Sequence, residues 1–298
     1  MKVLCIGHIS YDITFPVEKF ITENTKNRVS EKVECGGGPA SNAAYLLGKY
    51  GVETYIMGIV GNDYYADKIE KEFKNVNVNT KYLLKLNDYK TTSSMIIANK
   101  ENGSRTILTH KDNSKKYPII DINFEPDIIH IDGQEPEVSN YMLDKFPNAI
   151  SVIDAGRNTE EIIELAKKVK YLVCSKEFAE SVTNLKFDKN DLSTYSKIYV
   201  TMKEIFKNNI VITLESEGSI AFIDEKLKLV PGIKVKAVDS TGAGDLFHGA
   251  FVYTLANGYG LEESLKFSNV VGGLSVTKIG GRHSVPTFEE IKKYYDFK

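Results

Sequence analysis

The apolar positions of the chain follow two periods that alternate along most of its length. Short uninterrupted apolar runs, typical of buried strands, occupy 2–9, 54–61, 127–133, 149–156, 171–175 and 209–216. Segments with apolar residues at every third or fourth position, which predict helices, occupy 39–50, 65–75, 137–146, 159–170, 176–184, 245–257, 262–278 and 288–296. This alternation predicts an α/β fold with a mainly parallel central sheet and helices on both faces.

Two segments, 12–35 and 91–110, depart from this rhythm because they alternate like strands and contain no helical period. The Asn102-Gly103 pair in the second segment is typical of a tight turn between antiparallel strands. We expect the two segments to pair with each other as a small separate sheet, within one domain that spans residues 1–298. The segment 71–90, rich in Lys and Asn, is interpreted as a solvent-exposed surface.

Composition and charge exclude several classes of function. Hydrophobic residues make up 42% of the 298 residues, charged residues 26%, and the formal net charge is −2, as in ordinary globular proteins. This charge offers no basic field for nucleic acid and no polybasic membrane patch. The three cysteines, Cys5, Cys35 and Cys174, are too far apart for a typical zinc site. With neither a signal-peptide pattern nor a long apolar run, we expect a cytoplasmic location and no membrane association.

The segment VDSTGAGDLFHGAF, residues 238–251, is the first candidate for chemistry. Gly242, Ala243 and Gly244 precede an apolar helix, so backbone N–H groups at the helix N-terminus are uncrowded and suited to bind an anion. Asp245 follows in the first turn, where it can accept a proton from a hydroxyl that attacks a phosphorus atom. The alternative interpretation is an aspartate that only stabilises the helix N-terminus.

A second glycine cluster, Gly36 to Gly38, stands at another strand-to-helix junction. Asn42 follows one turn later, and Asp12 follows the first strand, so both offer polar atoms to sugar hydroxyls. Ligands of open α/β sheets bind at the carboxyl ends of strands, where these residues are predicted to lie. The pattern predicts a polyol pocket beside an anion-binding loop. The chain contains no P-loop motif, and its glycine clusters do not match the dinucleotide-binding motif of dehydrogenases.

Segments 36–51, GGGPASNAAYLLGKYG, and 238–251 resemble the N-terminal and C-terminal signatures of the ribokinase-like (PfkB-type) carbohydrate kinases. The segments DGQEPE, VIDAGR and VTKIGGRHSVPT also occur in the family's order. The resemblance runs from Lys2 to the C-terminal helix and implies a ribokinase-like three-layer α/β/α domain with a small β-sheet lid formed by 12–35 and 91–110. It further implies a cytoplasmic transferase that uses ATP and Mg²⁺.

The resemblance implies a role for each matching position. Asp245 would be the general base, and the N–H groups of Gly242, Ala243 and Gly244 would form the anion hole for the transferred phosphoryl group. The sugar would be held by Asp12, Gly37, Gly38 and Asn42. The nucleotide would be contacted by Thr213, Glu217, Gly218 and Asn269.

Metal ions are also implied by the resemblance. The family often carries Asn-x-x-Glu before the nucleotide site, but Ser175 and Phe178 stand at those positions here. Glu177 is therefore the candidate that would act through a Mg²⁺-bound water. In relatives that use a monovalent cation, K⁺ lies between two loops that match Asp239, Thr241, Gly280 and Ser284.

The resulting hypothesis is an ATP-dependent sugar kinase that phosphorylates a hydroxymethyl group of a ribose-, fructose- or ketohexose-like acceptor. An adenosine-type nucleoside kinase is the alternative, which a pocket lined by stacking aromatic rings would favour. A sugar-sensing relative without activity is less favoured because the Gly-Ala-Gly-Asp element is intact. The lid is expected to pair two subunits as a homodimer, and Arg105 is interpreted as a solvated lid charge.

Overall fold

The computed structural model describes residues 1–296. Its strands are β1 (Lys2–Ile6), β2 (Ser10–Val17), β3 (Val33–Gly37), β4 (Glu53–Gly61), β5 (Asn79–Leu86), β6 (Thr92–Asn99), β7 (Arg105–His110), β8 (Ile128–Ile131), β9 (Ile150–Ala155), β10 (Tyr171–Ser175), β11 (Asn209–Thr213), β12 (Gly218–Ile223) and β13 (Lys226–Pro231). Its helices are α1 (Pro39–Lys49), α2 (Tyr64–Asn75), α3 (Pro136–Lys145), α4 (Glu160–Lys168), α5 (Lys176–Thr183), α6 (Ser193–Ile205), α7 (Ala243–Ala256), α8 (Leu261–Ser275) and α9 (Phe288–Ile291).

The central sheet has nine strands in the order β13-β12-β11-β10-β9-β8-β1-β4-β5. The pairs from β5 to β11 are parallel, while β12 and β13 form an antiparallel hairpin at one edge. Helices cover both faces. Ala44, Phe73 and Phe251 are buried on the face covered by α1, α2 and α7, whereas Met142 and Phe178 are buried on the face covered by α3 to α6. The predicted three-layer α/β/α fold is therefore confirmed.

The two segments that lacked a helical period form a separate four-stranded sheet in the order β3-β2-β6-β7. Strands β2 and β6 pair in parallel along their length, and β6 and β7 form the predicted antiparallel hairpin. Gly103 turns this hairpin with φ of 72°, a left-handed conformation that glycine adopts without steric cost. The small sheet stands over the carboxyl ends of the parallel strands, because β2 leaves the end of β1 after three residues.

Three local expectations differ from the structure. The segment 71–90 is more than a solvated surface, since it contains the end of α2 and all of the edge strand β5, with Tyr82 and Leu83 buried. An edge strand buries only part of its surface, and the lysines on the exposed part of β5 made the segment resemble a surface loop. The helix α6 was not predicted. The last helix spans only Phe288–Ile291 rather than 288–296, and turns follow it to residue 294. Across residues 1–296, no helix is both long and apolar enough to cross a membrane.

Candidate active site

A cavity of about 520 Å³ lies between the small sheet and the carboxyl ends of β1, β8 and β9. Five residues predicted to act on an acceptor or a phosphoryl group line it, namely Asp12, Gly38, Asn42, Gly242 and Asp245. A wider cleft of about 690 Å³ runs along residues 31–34 and 277–279 and includes none of the predicted site residues. The fold thus brings the two glycine clusters and the first strand to one cavity, which we call the acceptor cavity.

Asp245 lies in the first turn of α7 and is joined to Asn42 of α1. Nδ2 of Asn42 donates a hydrogen bond to Oδ2 of Asp245 at 2.7 Å. Burial raises the pKa of the Asp245 carboxyl, while the Asn42 hydrogen bond and the charge of Arg105 oppose that rise. A carboxylate held in this way can take a proton from a hydroxyl bound in the cavity.

The N-terminus of α7 is open toward solvent at Gly244. A Cβ atom placed at Gly244 would meet nothing within 4 Å, so the glycine leaves free space in front of the helix. The N–H of Ala243 donates only a long hydrogen bond of 3.3 Å to the carbonyl of Ser240. Gly242 precedes the helix with φ of 73°, which turns the chain into its first turn. This geometry provides N–H groups and space for an anion.

Asp12 lies on β2 with its side chain buried. Its Oδ1 accepts a hydrogen bond of 3.0 Å from Ser10 Oγ. The pKa of Asp12 is raised to about 6, because burial and the nearby Asp245 carboxyl outweigh the lowering effect of the Ser10 hydrogen bond. A Cβ atom at Gly37 would overlap the Asp12 carboxylate, and one at Gly38 would overlap the carbonyl of His8. The second glycine cluster is therefore needed for the close approach of α1 to the first two strands.

Asp132 is a structural anchor that sequence analysis missed. It follows β8, is buried, and its Oδ2 accepts hydrogen bonds from the N–H groups of His8 at 2.8 Å and Ala40 at 3.2 Å. Its Oδ1 accepts a third from Gln134 N–H at 3.0 Å. These bonds hold together the ends of β1 and β8 and the start of α1. The signal in the sequence was an acid directly after a buried strand, the same signal that identified Asp12.

Arg105 is exposed on β7, as expected of a lid charge, but it also contacts the loop that precedes α7. Its Nη1 donates a hydrogen bond of 2.8 Å to Ser240 Oγ, and its side chain lines the acceptor cavity. Beside it, Ser240 N–H donates to the carbonyl of Gly103 at 3.0 Å. A Cβ atom at Gly103 would come within 2.5 Å of Ala237 Cβ. The tip of the small sheet therefore docks closely on the loop that precedes α7.

Arg282 and Glu72 form a second anchor that sequence analysis missed. Arg282 is only 2% exposed, and its Nη1 lies 2.8 Å from Glu72 Oε2, which also accepts the N–H of Gly36 at 2.9 Å. Arg282 Nη2 donates to Ser41 Oγ at 2.5 Å. This network fixes the second glycine cluster, Gly36 to Gly38, against the loop after α8. A charged pair spaced 210 positions apart leaves no local pattern.

The four residues predicted to surround a monovalent cation belong to two loops that contact each other. Asp239 accepts the N–H of Thr241 at 2.9 Å and of Gly280 at 2.8 Å, one on each carboxylate oxygen. Oγ1 of Thr241 is buried without a hydrogen-bond partner, while Ser284 Oγ donates to the carbonyl of Gly281. The unpartnered hydroxyl oxygen of Thr241 is of the kind that K⁺ accepts as a ligand, so this residue fits such an ion.

The residues predicted to contact a nucleotide lie outside the acceptor cavity, near the ends of β11 and β12 and on α8. Glu217 Oε2 accepts a 2.7 Å hydrogen bond from Tyr195, and Thr213 Oγ1 donates to the Cys174 carbonyl at 3.3 Å. Gly218 begins β12 with φ of 109°. Asn269 Nδ2 donates to the Val230 carbonyl at 2.9 Å, which ties α8 to β13.

Ser175 and Glu177 mark the start of α5. Ser175 Oγ accepts the Phe178 N–H at 3.1 Å and so caps the helix, while Glu177 is exposed. Within residues 1–296, no group of three or more His, Cys, Asp or Glu side chains is arranged to hold a metal ion. The exposed carboxylate of Glu177 has the chemistry to accept a hydrogen bond from a water of a Mg²⁺ ion carried on phosphates.

Comparison with known proteins gives consistent matches over nearly the whole chain. The family model described as pfkB family carbohydrate kinase matches residues 1–288. The chain is similar to the nucleoside kinase of Methanocaldococcus jannaschii, with 26% identity over 97% of this chain and 95% of that protein. It is similar to the ribokinase of Lactococcus lactis, with 27% identity over 98% of this chain and 96% of that protein. A crystal structure of a putative ribokinase from Agrobacterium tumefaciens matches with a TM-score of 0.88 and 25% identity, over 98% and 96% of the two chains.

Two further structures of the same fold contain ligands. Arabidopsis thaliana ribokinase, complexed with ribose and ATP, matches with a TM-score of 0.81 and 22% identity. The match covers 100% of this chain and 99% of the Arabidopsis chain. A putative ribokinase II from E. coli, in complex with ATP and Mg²⁺, has a TM-score of 0.82 and 17% identity over 98% of both chains.

Proposed function

Because the chain belongs to the pfkB family of carbohydrate kinases and is a phosphotransferase that acts on a sugar hydroxyl, we propose that it transfers the γ-phosphoryl group of ATP to a hydroxymethyl group of a small carbohydrate. The observation that carries this proposal is the hydrogen bond between Asn42 and Asp245 at the wall of the acceptor cavity. It sets a carboxylate beside the open N-terminus of α7, so that a base and an anion-binding group face the same space.

In the proposed mechanism, the acceptor hydroxyl lies against Asp245, which takes its proton as the hydroxyl oxygen attacks the γ-phosphorus. The bond from that phosphorus to the bridging oxygen breaks, and ADP leaves. N–H groups at Gly242, Ala243 and Gly244 stabilise the charge that develops on the phosphoryl oxygens. Arg105, which donates a hydrogen bond to Ser240 and whose charge acts on Asp245, adds a positive charge at the same place.

Asp12, with Gly37, Gly38 and Asn42, is proposed to hold the hydroxyls of the acceptor. Asp12 offers carboxylate oxygens in a desolvated position, and the buried Oδ1 of Asn42 has no hydrogen-bond partner, so it is free to accept one. The ATP-binding role is proposed for Thr213, Glu217, Gly218 and Asn269. Mg²⁺ carried on the phosphates supplies charge neutralisation during the transfer, with Glu177 proposed to bind one of its waters.

The lining of the cavity favours a sugar over a nucleoside as acceptor. Among the described residues that line it, none is Phe, Tyr or Trp, so no such ring is available to stack on a base. Its apolar surface comes instead from Pro39, Ile96, Ile107 and Ile162. A nucleoside kinase is therefore the second candidate. An inactive sugar sensor is disfavoured because Asp245 and Asn42 retain the geometry of a base and its orienting partner.

The small sheet is proposed to act as a lid and as a dimer surface. Its inner face carries Arg105 and Ile107 into the cavity, so it can exclude water, which competes as phosphoryl acceptor. On the outer face, the paired residues Met95 and Leu108 are 47% and 62% exposed. Apolar side chains in this position, beside the free edge of β7, suit burial against the same face of a second copy.

The proposal is tested by measuring ADP release from Mg-ATP with ribose, fructose, tagatose, a 2-keto-3-deoxy acid and adenosine. We expect at least one sugar to release ADP well above the acceptor-free rate, with the phosphate located on its hydroxymethyl carbon by NMR. Turnover with adenosine alone would replace the sugar kinase by the nucleoside kinase. Absence of turnover with every acceptor would refute both.

A further inference from the structure

The positive charges that line the acceptor cavity fall into two groups. Arg105 donates a hydrogen bond to Ser240 in the loop that precedes Asp245, and its charge lowers the pKa of that carboxyl. Lys111 and Arg157 line the same cavity together with His8 and Gln134, and Lys111 donates a hydrogen bond to Gln134. His8 follows β1, Lys111 follows β7 and Arg157 follows β9, so one cation comes from the small sheet and the other from the main domain.

Neither Lys111 nor Arg157 is neutralised by the described part of the protein. Lys111 Nζ donates to the neutral Oε1 of Gln134 at 2.9 Å, and within residues 1–296 neither cation has a carboxylate within ion-pair distance. The next lysines of the same segment differ, because Lys115 lies 2.5 Å from Asp88 and Lys116 lies 2.6 Å from Glu137.

The other titratable groups in this part of the cavity have other partners and form no ion pair with Lys111 or Arg157. His8 is kept neutral, because burial and the two cations lower its pKa to about 4. The carboxylate of Asp132 is engaged by three backbone N–H groups, and Asp154 lies beside the ring of His248, 3.3 Å from its Nδ1. The carboxyl of Glu135 also interacts with the charge of Lys111, but its Oε2 accepts the N–H of Tyr117 at 3.0 Å and Glu135 is not among the residues that line the cavity. Lys111 and Arg157 therefore line the cavity without an ion-pair partner among its described residues.

We propose that Lys111 and Arg157 bind an anionic group, a carboxylate or a phosphate, carried by the acceptor at the end away from the hydroxyl that Asp245 serves. This inference rests on the proposed function and narrows it from small carbohydrates to sugar acids or sugar monophosphates. The planar guanidinium of Arg157 matches two oxygens of either group, and Lys111 adds a point charge from the opposite side. The anion would bridge the small sheet and the main domain, so the correct acceptor would itself favour lid closure.

The test compares acceptors that differ only at one carbon: D-fructose, 2-keto-D-gluconate and D-fructose 1-phosphate. All three keep the hydroxymethyl group at carbon 6, while carbon 1 carries an alcohol, a carboxylate or a phosphate ester. We expect kcat/KM for one of the anionic acceptors to exceed that for fructose at least tenfold. In Arg157→Met and in Lys111→Met, the ratio of anionic to neutral kcat/KM should fall about 10- to 100-fold, as expected for a lost charged hydrogen bond.

Lys116→Met is the matched control, since it removes a charge from the same segment at a lysine paired with Glu137 outside the acceptor cavity. It should leave the ratio unchanged, whereas an equal effect would indicate only a diffuse positive field. The inference is overturned if fructose is used as well as both anionic compounds, or if Arg157→Met and Lys111→Met leave the ratio unaltered. The proposed kinase function survives that result.

If no compound turns over, the kinase proposal fails, and calorimetric titration of the full chain with the same three compounds in the presence of ADP still decides the anion site. Binding of an anionic compound that is lost in Arg157→Met supports the site. Equal binding of all three compounds, or no binding of either anionic compound, refutes it.

Discussion

Asn42 donates a 2.7 Å hydrogen bond to Asp245 across 203 positions of the chain. The bond joins the second turn of α1 to the first turn of α7, and therefore the two glycine clusters to each other. A carboxylate can accept from an amide with one oxygen and from a hydroxyl with the other. The pairing thus orients Asp245 toward the acceptor cavity without using up its capacity as a base.

Replacing Asp245 by Asn should leave the fold intact and lower kcat about 10²- to 10⁴-fold, the usual contribution of a general base. The affinity for ATP should change little, because the lost carboxylate acts on the acceptor. Steady-state rates and a nucleotide-binding titration measure both effects. A loss below about tenfold would show that Asp245 only stabilises the N-terminus of α7.

The KM for the acceptor should rise as the pH falls through about 6, because the pKa of Asp12 is raised to about 6 by burial. Below this pH the carboxyl is mostly protonated and has lost an acceptor for sugar hydroxyls; above it the carboxylate is present. KM and kcat measured between pH 5 and 8 separate this effect from the titration of Asp245. In Asp12→Asn the acceptor KM should be high at every pH and should not change near pH 6. The same dependence of KM on pH in the variant and the unmodified protein would contradict the role of Asp12.

Gly103→Ala should raise the acceptor KM and increase ATP hydrolysis without acceptor, because the added Cβ would collide with Ala237 and keep the tip of the small sheet from docking. Gly258→Ala is the control, since Gly258 has a similar φ, 76° against 72°, and open space around its Cβ position. Each variant should lose about 1 kcal/mol of unfolding free energy from its left-handed backbone. Kinetics that change equally in both variants would rule out the docking contact as the cause.

Potassium should stimulate the reaction. A cation between the loops of Asp239 and Gly280 would bind carbonyls and the unpartnered Thr241 hydroxyl, and would thereby hold the 239–244 loop with its N–H groups toward the phosphoryl group. Initial rates in chloride salts of potassium, sodium and tetramethylammonium, at equal ionic strength and saturating Mg-ATP, measure the effect. Equal rates in the three salts would exclude the cation site and leave the kinase proposal standing.

The chain should form a dimer through the outer face of the small sheet, and Leu108→Glu should convert it to a monomer by placing a charge in the apolar contact. Light scattering coupled to gel filtration measures the mass. Leu192→Glu is the control, because Leu192 is similarly exposed, at 67%, immediately before α6 and away from the small sheet. A monomeric unmodified chain, or a Leu108→Glu variant that stays dimeric, would refute this interface.

The sequence by itself determined the layer architecture and the positions of the strand ends. Buried strands and amphipathic helices record their environment in residues close together, so the α/β alternation and the separate small sheet were predictable. The same applies to Asp12, Asn42 and Asp245, because an acid or amide beside glycines at a strand end is a local pattern. The resemblance to a family added roles to these positions, and the fold then brought all three to one cavity.

Only the tertiary structure decided which distant groups meet. The contact of Arg105 with Ser240 joins residues 135 positions apart, and the Glu72–Arg282 pair is separated by 210 positions. Strand β5 was not predicted for a related reason. Its lysines indicate only that one side is exposed to solvent, whereas the burial of its other residues depends on pairing with β4. Local periodicity reports how one element faces its surroundings, whereas contacts between elements depend on how whole faces pack, and no short stretch of sequence contains that information.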